Sequence, residues 1–271
     1  YIYLNLSSFT IAFQDMQGGF TFNNFVMMWD SLTTDGGELA IALKNTLLYF
    51  GNSVLIVFPL NLFVSYFFYK KIWGYKFFRI VFYLPAIISS VVMVAIYTEF
   101  IKPTGPLGVI LKQLGVDVPL RGYLGQDSTA TWAIIIYCTW TGFTGNVLLF
   151  SGAMARIPIE VIEAARLDGC GVLREVGQLI IPLIWPTMST MLLLTLTGML
   201  SSGGPILLFT GGRYETTTLS FWIFSKVYYG GSGGTGFYGL VSAMGMFFTV
   251  IMVPLILLAR WLMEKVPSIE Y

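Results

Sequence analysis

Histidine is absent from all 271 residues. That removes imidazole from any catalytic, proton-relay or metal-binding scheme. Cysteine is nearly absent, with Cys138 and Cys170 the two present. One falls in a hydrophobic stretch and the other in a polar segment, so no disulfide is expected and both read as packing residues. Charge is scarce as well, at 11% of residues, where a soluble domain carries about a quarter. So few charges cannot cover the water-facing surface of a globule this size. The net charge of +1 gives no electrostatic footing for nucleic acid. A phosphate-cradling loop is also missing. The Gly-rich run at 230–234 lacks the Gly-Lys-Ser/Thr that would follow it in a nucleotide site and reads as a flexible linker.

What the chain has in abundance is hydrocarbon, since 56% of its residues are hydrophobic. A bilayer core about 30 Å thick needs roughly 20 apolar helical residues. Five stretches qualify, at 46–68, 80–101, 131–154, 183–209 and 237–259. The expectation is an all-α integral membrane protein with multiple spans, forming a single domain over 1–271. The chain opens at Tyr1 with neither Met nor a basic leader. Its first residues, YIYLNLSSFTIAF, are too few and too polar to span. They read as the outer end of a first helix whose start is missing, which would make a six-helix bundle. Pro59, Pro85, Pro186 and Pro254 lie inside spans, where proline bends a helix and frees a carbonyl.

Basic residues near the span ends set orientation. Lys70, Lys71, Lys76 and Arg79 fill one short loop, Arg156, Arg166 and Arg174 the 155–182 segment, and Arg260 and Lys265 the tail. Alternation puts these three on one side, expected to be cytoplasmic. The other side carries Asp15, Asp30, Asp35, Glu38, Asp117, Asp127 and Glu215, with Lys102, Lys112, Arg121, Arg213 and Lys226 among them. The extracytoplasmic loop at 209–236 is too polar to span. Its aromatic residues fit either an interfacial belt or a docking surface for an external partner.

The most polar helical signal lies at 155–182, between two oily stretches. Pro158 suits a first helical turn, and Gly169 suits a left-handed helix end. The helix between them is too short to span. Val161, Ala164, Ala165 and Asp168 share one small-sided face, expected to let another backbone come close, and Glu160, Glu163 and Leu167 form the neighbouring face. A second helical stretch at 172–181 leads to Pro182. Acidic residues offset the arginines, which argues against anionic lipid, and a mere connector needs no ordered helices. Docking into a cleft of a soluble partner is the preferred reading.

Here the chain resembles a known family. Glu163-Ala164-Ala165, three residues, Gly169, nine residues and then Leu179-x-Ile181-Pro182 is similar to the EAA loop of bacterial ABC-importer permeases. Leu179 and Ile181 stand where that family has Ile and Leu. Asn45-Thr46 in LKNTLLYF and the stretch FYLPAIIS resemble the entries of the first two full spans of sugar permeases. The likeness runs from about residue 45 to the end and is to the maltose-type, type I importer fold.

The resemblance implies a multi-pass subunit of the bacterial inner membrane that works in an assembly. Its expected partners are a second permease subunit, two cytoplasmic ATPase subunits and an extracytoplasmic solute-binding protein. ATP and Mg would sit on the ATPases, with no cofactor on this chain and no catalysis by it. Pro158, Glu160, Glu163, Ala164, Ala165, Asp168 and Gly169 would form the coupling helix, Glu163 pairing with an ATPase arginine. Two polar clusters in the spans are expected to face the solute. One holds Trp140, Thr141, Gly142, Thr144, Gly145 and Asn146, and the other Thr195, Thr197, Ser201 and Ser202. By position in the family, solute contacts fall near Thr141, Gly142, Gly145, Thr195, Gly198, Met199 and Ser202. The expected solute is a sugar or oligosaccharide. The alternatives are a non-sugar solute such as glycerol phosphate or a polyamine, or a stand-alone secondary transporter. Uncharged span centres speak against the last.

Overall fold

The computed structural model describes residues 2–15, 17–34, 36–143, 145–201, 204–229 and 236–266. Among them the regular structure is helical, apart from an isolated bridge between Gln14 and Phe20. In chain order the helices are α1 (Ile2–Ala12), α2 (Asn23–Thr33), α3 (Glu38–Asn52), α4 (Phe58–Tyr69), α5 (Tyr75–Ile87), α6 (Ser90–Ile101), α7 (Pro106–Gln113) and α8 (Asp127–Gly142). They continue with α9 (Val147–Met154), α10 (Ile159–Leu167), α11 (Val172–Arg174), α12 (Ile181–Thr197), α13 (Ile206–Phe209), α14 (Leu219–Tyr228) and α15 (Gly236–Glu264).

Among the described residues, four stretches are long and apolar enough to cross a bilayer: Glu38–Tyr69, Asp127–Met154, Val172–Thr197 and Phe237–Glu264. The pair Tyr75–Ile87 and Ser90–Gln113 makes a fifth, bent by 106° at its break. Their outer sides carry uncovered apolar residues such as Leu55, Ile87, Ile136 and Val250, as suits hydrocarbon solvent. α1 packs along α15.

Three expected spans differ in detail. The 80–101 span is not one helix. Ile88 and Ser89 are extended (ψ 141° and 137°), just beyond Pro85, whose ring cannot donate to the helix ladder. The 131–154 span is interrupted at 143–146, between α8 and α9, where Gly142 and Gly145 weaken helical preference. The 183–209 span instead runs from Val172 to Thr197 and turns at 198–201. The stretch at 172–181 is therefore the beginning of that span and not a separate surface helix.

Prolines explain two local departures. The π-helical segments Ser53–Val57 and Glu175–Ile180 lie directly before Pro59 and Pro182. Widening the turn there relieves the clash of each proline ring with the preceding carbonyls. Both helices then continue, so Pro59 and Pro182 interrupt neither span.

The packing brings the three basic segments to one end. Lys70, at the foot of α4, forms an ion pair with the buried Glu175. Trp185 Nε1 on α12 donates to the carbonyl of Met263 in α15 at 3.1 Å. Beneath them a core of Phe58, Leu62, Phe150, Met154, Ile180 and Ile184 joins α4, α9 and α12. At the opposite end Met28, Leu39, Leu219, Trp222 and Met244 join α2, α3, α14 and α15. Both cysteines are free. Cys138 packs under Gly204, where an added Cβ would lie 2.8 Å from its sulfur.

Candidate functional site

At the basic end, α10 stands on the bundle through one face. Ile162 is 4% exposed and joins Ile157 and the partly buried Val161 in the core described above. The rest of the helix circumference faces outward. Ile159, Glu160, Glu163, Ala164, Leu167 and Asp168 occupy that open arc, with Leu167 90% exposed. Of the small-sided face, Ala164 and Asp168 are exposed, Ala165 is half-buried and Val161 packs on the core, while Glu160, Glu163 and Leu167 beside it are all exposed.

The ends of α10 are well defined. Pro158 is not in the first turn but just before it, its carbonyl accepting from Val161 N–H at 3.2 Å. Gly169 has the expected left-handed conformation, φ +73°. The Cys170 N–H reaches back to the Ala165 carbonyl at 3.0 Å and the Asp168 N–H to Ala164 at 3.1 Å, a Schellman-type stop. Beside the helix lies a cleft of about 560 Å³. Lys71, Arg79, Tyr75, Tyr83 and Ser151 wall it, and Glu163 sits at its edge.

In mid-bundle, the first polar cluster gathers at the break between α8 and α9. Trp140 is exposed and lies 6.3 Å from Tyr137 and 6.4 Å from Tyr97, ring to ring. Thr141 turns its hydroxyl back onto the Tyr137 carbonyl at 3.0 Å. Gly142 ends α8, and its carbonyl accepts from the Gly145 N–H at 3.1 Å. Gly145 is exposed, and the half-buried Asn146 begins α9 by accepting from the Phe150 N–H at 3.0 Å. Thr144 lies outside the described residues.

The second cluster ends α12. Thr195 bonds the Met191 carbonyl at 2.9 Å, Thr197 that of Leu194 at 2.9 Å and Ser201 that of Gly198 at 3.0 Å. Such back-bonding satisfies hydroxyls locally in an apolar setting. Gly198 caps the helix. Met199 is buried against Leu196 and Met252 of α15. Ser202 lies outside the described residues. α12 packs on α9 and α15, and α8 on α3.

Two residues that the sequence reading passed over complete the first cluster. Asn61 Nδ2 donates to the Gly142 carbonyl at 3.2 Å, and Ser65 Oγ to the Val147 carbonyl at 3.1 Å. Their spacing of four residues, polar in an apolar helix, was the available signal.

At the far end, Asn45 and Thr46 of the Asn-Thr motif hold the loop after α13. Asn45 Nδ2 donates to the carbonyls of Glu215 at 2.6 Å and Thr217 at 2.8 Å. Thr46 Oγ1 accepts from the Leu219 N–H at 3.0 Å. α14 follows, a helix within what read as an irregular loop. Phe224, Tyr228 and Tyr229 are exposed on it, with Phe224 and Tyr228 stacked at 5.3 Å. The 230–234 run lies outside the described residues.

These features define a class: a polytopic helical membrane protein with broken spans, polar clusters at the breaks and one short helix projecting from its basic end. Residues 58–267 match the family described as binding-protein-dependent transport system inner membrane component, and the chain belongs to that family. It is 34% identical over 137 residues to the probable ABC transporter permease protein YurN of Bacillus subtilis, covering 50% of this chain and 47% of that one. It is 28% identical over 150 residues to the multiple sugar-binding transport system permease protein MsmF of Streptococcus mutans, covering 55% and 51%. The matches thus span about half the length of these relatives. Among solved structures, a chain of a bacterial ABC transporter involved in the import of the acidic polysaccharide alginate superposes with a TM-score of 0.83. The sequence identity is 23%, with 98% of this chain and 90% of that one covered, a likeness of fold.

Proposed function

We propose that this chain is the membrane permease subunit of a binding-protein-dependent ABC importer, moving a sugar or oligosaccharide by alternating access. The observation that carries the reading is α10. It is rigidly seated through Ile162, stopped by Gly169, and open along Glu160, Glu163 and Leu167. A helix built this way transmits force: its inner face is fixed to α4, α9 and α12, so displacement of the outer face moves the spans.

ATP reaches this chain only through such contact. A ligand shifts a conformational equilibrium only by its differential affinity for two states. ATP held by a neighbouring subunit therefore acts through whatever element that neighbour grips. On this reading the basic end is cytoplasmic, α10 is the coupling helix, and Glu163 meets a cation of the ATPase. A second permease subunit completes the path, and an extracytoplasmic binding protein loads it. The naming of the S. mutans relative for sugar transport and the fold shared with an alginate importer support a saccharide cargo.

The polar clusters ending α8 and α12 are the solute path. Trp140 offers an aromatic face, Thr141, Asn146 and Thr195 offer hydrogen bonds, and Gly142, Gly145 and Gly198 leave room. That combination suits a neutral polyol. Phosphate recognition would call for Arg or Lys, and neither cluster has one.

The test is reconstitution of the intact assembly in vesicles, with ATP hydrolysis and uptake of labelled oligosaccharides measured together. Hydrolysis stimulated by loaded binding protein is expected, and none from this chain alone. ATP hydrolysis by the purified chain, or uptake independent of ATP, sinks the proposal.

A further inference from the structure

Three side-chain bridges among the described residues run along the interface of the first and third spans. Thr139 Oγ1 donates to Asn52 Oδ1 at 2.9 Å. Asn61 Nδ2 reaches Gly142 O, and Ser65 Oγ reaches Val147 O. Asn52, Asn61 and Ser65 are all buried, Ser65 completely. From Asn52 to Ser65 the seam is about 20 Å long at the rise of a helix, most of a hydrocarbon core.

The two weakest points of these spans lie within that seam and face each other. One is the π-helical segment Ser53–Val57, and the other is the break at 143–146. They nearly touch, since a Cβ added to Gly142 would lie 3.3 Å from a Val57 methyl. An apolar contact would join these helices without desolvating an amide. Instead Asn61 is 1% exposed, and among the described residues its Oδ1 has no hydrogen-bond partner. A half-satisfied buried amide costs stability; what it supplies in return is a fixed register between two irregular helices.

We infer that Asn61 and Ser65 are positioning residues of the solute path. They pin the broken turn between α8 and α9 to α4, and so fix where Gly145 and Asn146 stand. Without them the turn loses its hydrogen bonds to α4 and keeps only local backbone anchors, the Gly145 N–H to the Gly142 carbonyl and the Phe150 N–H to the Asn146 carbonyl. Spans one and three then move as one body during access changes, and the solute-facing turn moves with them. This inference rests on the solute-path reading given above.

The test is thiol accessibility in the assembled complex, in membrane vesicles, with a water-soluble methanethiosulfonate reagent as the probe. The background carries Cys170→Ser and Asn146→Cys. Native Cys138, packed under Gly204, serves as an internal sensor of general loosening, its labelling separated by peptide mass. Asn61→Leu and Ser65→Ala are each expected to change the labelling rate at position 146 by about tenfold, with Cys138 unchanged. Ser65→Ala removes one oxygen and adds nothing, so it keeps the test open if Asn61→Leu fails to assemble. No labelling at position 146 in the background would defeat the solute-path reading itself. Labelling there that neither variant alters, or that rises in parallel with Cys138, would overturn the positioning role and leave the path reading standing.

Discussion

Asn45 Nδ2 lies 2.6 Å from the carbonyl oxygen of Glu215, a residue held at φ +52°. Tyr214 beside it has φ +58°, and Gly211 and Gly212 are also left-handed. Non-glycine residues in that conformation cost about 1–2 kcal/mol each, so the loop depends on outside contacts to keep its shape. Asn45 and Thr46 supply them. Asn45→Ala is expected to destabilise the folded chain by about 1 kcal/mol, the worth of the lost hydrogen bonds to part-buried carbonyls, since Thr131 Oγ1 still donates to Glu215 at 3.3 Å. Glu215→Gly, which relieves strain, is expected to recover part of it. Thermal unfolding of the detergent-solubilised assembly checks both, and an unaltered midpoint for Asn45→Ala would show that the loop holds itself.

The Lys70–Glu175 pair makes a second stability prediction. Glu175 is 4% exposed, so its charge left alone is buried without compensation, and the half-buried Lys70 left alone keeps only the Tyr66 ring beside it. Glu175→Leu or Lys70→Met singly should cost about 3–5 kcal/mol, while the double variant should lie close to the parent. Additive losses in the double variant, read from the same melts, would mean that the two charges are supported by other groups.

The two faces of α10 should respond in opposite ways. Ile162→Ala opens the core beneath the helix and should cost about 2–5 kcal/mol of stability. Leu167→Ser and Glu163→Ala lie on the open arc and should change stability by no more than about 0.5 kcal/mol. These two are instead expected to lower recovery of the ATPase on affinity purification, or to uncouple hydrolysis from uptake. Full recovery and tight coupling in both would remove α10 as the docking element.

Gly169 separates backbone strain from crowding. Nothing lies within 4 Å of an added Cβ there, so a side chain meets only the cost of φ +73°. Gly169→Val should destabilise by about 1–2 kcal/mol, whereas Gly169→Asn, tolerant of left-handed geometry, should cost less. Equal losses would point to a contact at this position and not to its conformation.

Within the solute path, Asn146→Ala and Trp140→Ala should raise the half-saturating concentration of loaded binding protein while the subunits still purify together. Met199→Ala should do the reverse, leaving saturation unaltered and lowering thermal stability, because Met199 packs against Met252. Uptake curves set beside melting curves distinguish the two.

The spans were legible because apolar runs of that length have few other uses. Their interruptions were not. Hydropathy averages across a window, so Ile88-Ser89 and the turn at 143–146 vanish inside otherwise oily stretches. The start of the long helix at Val172 was hidden by Pro182, read as a boundary until the π turn before it is seen to absorb the ring. The left-handed Gly169 was readable because glycine adopts that conformation with no steric cost. Which face of α10 points outward was not, since Ile162 and Val161 decide it by reaching a core assembled from α4, α9 and α12. Asn61 and Ser65 were missed because their partners are main-chain carbonyls about eighty residues away, which side-chain patterns do not reveal.

Leu167 and Ile159 stand uncovered on the outward arc of α10. Water-facing apolar side chains gain free energy when something covers them, about 0.8 kcal/mol for each methylene buried. Burying these two would therefore add to the grip of any surface that closes over α10, and Leu167, the more open, would contribute most.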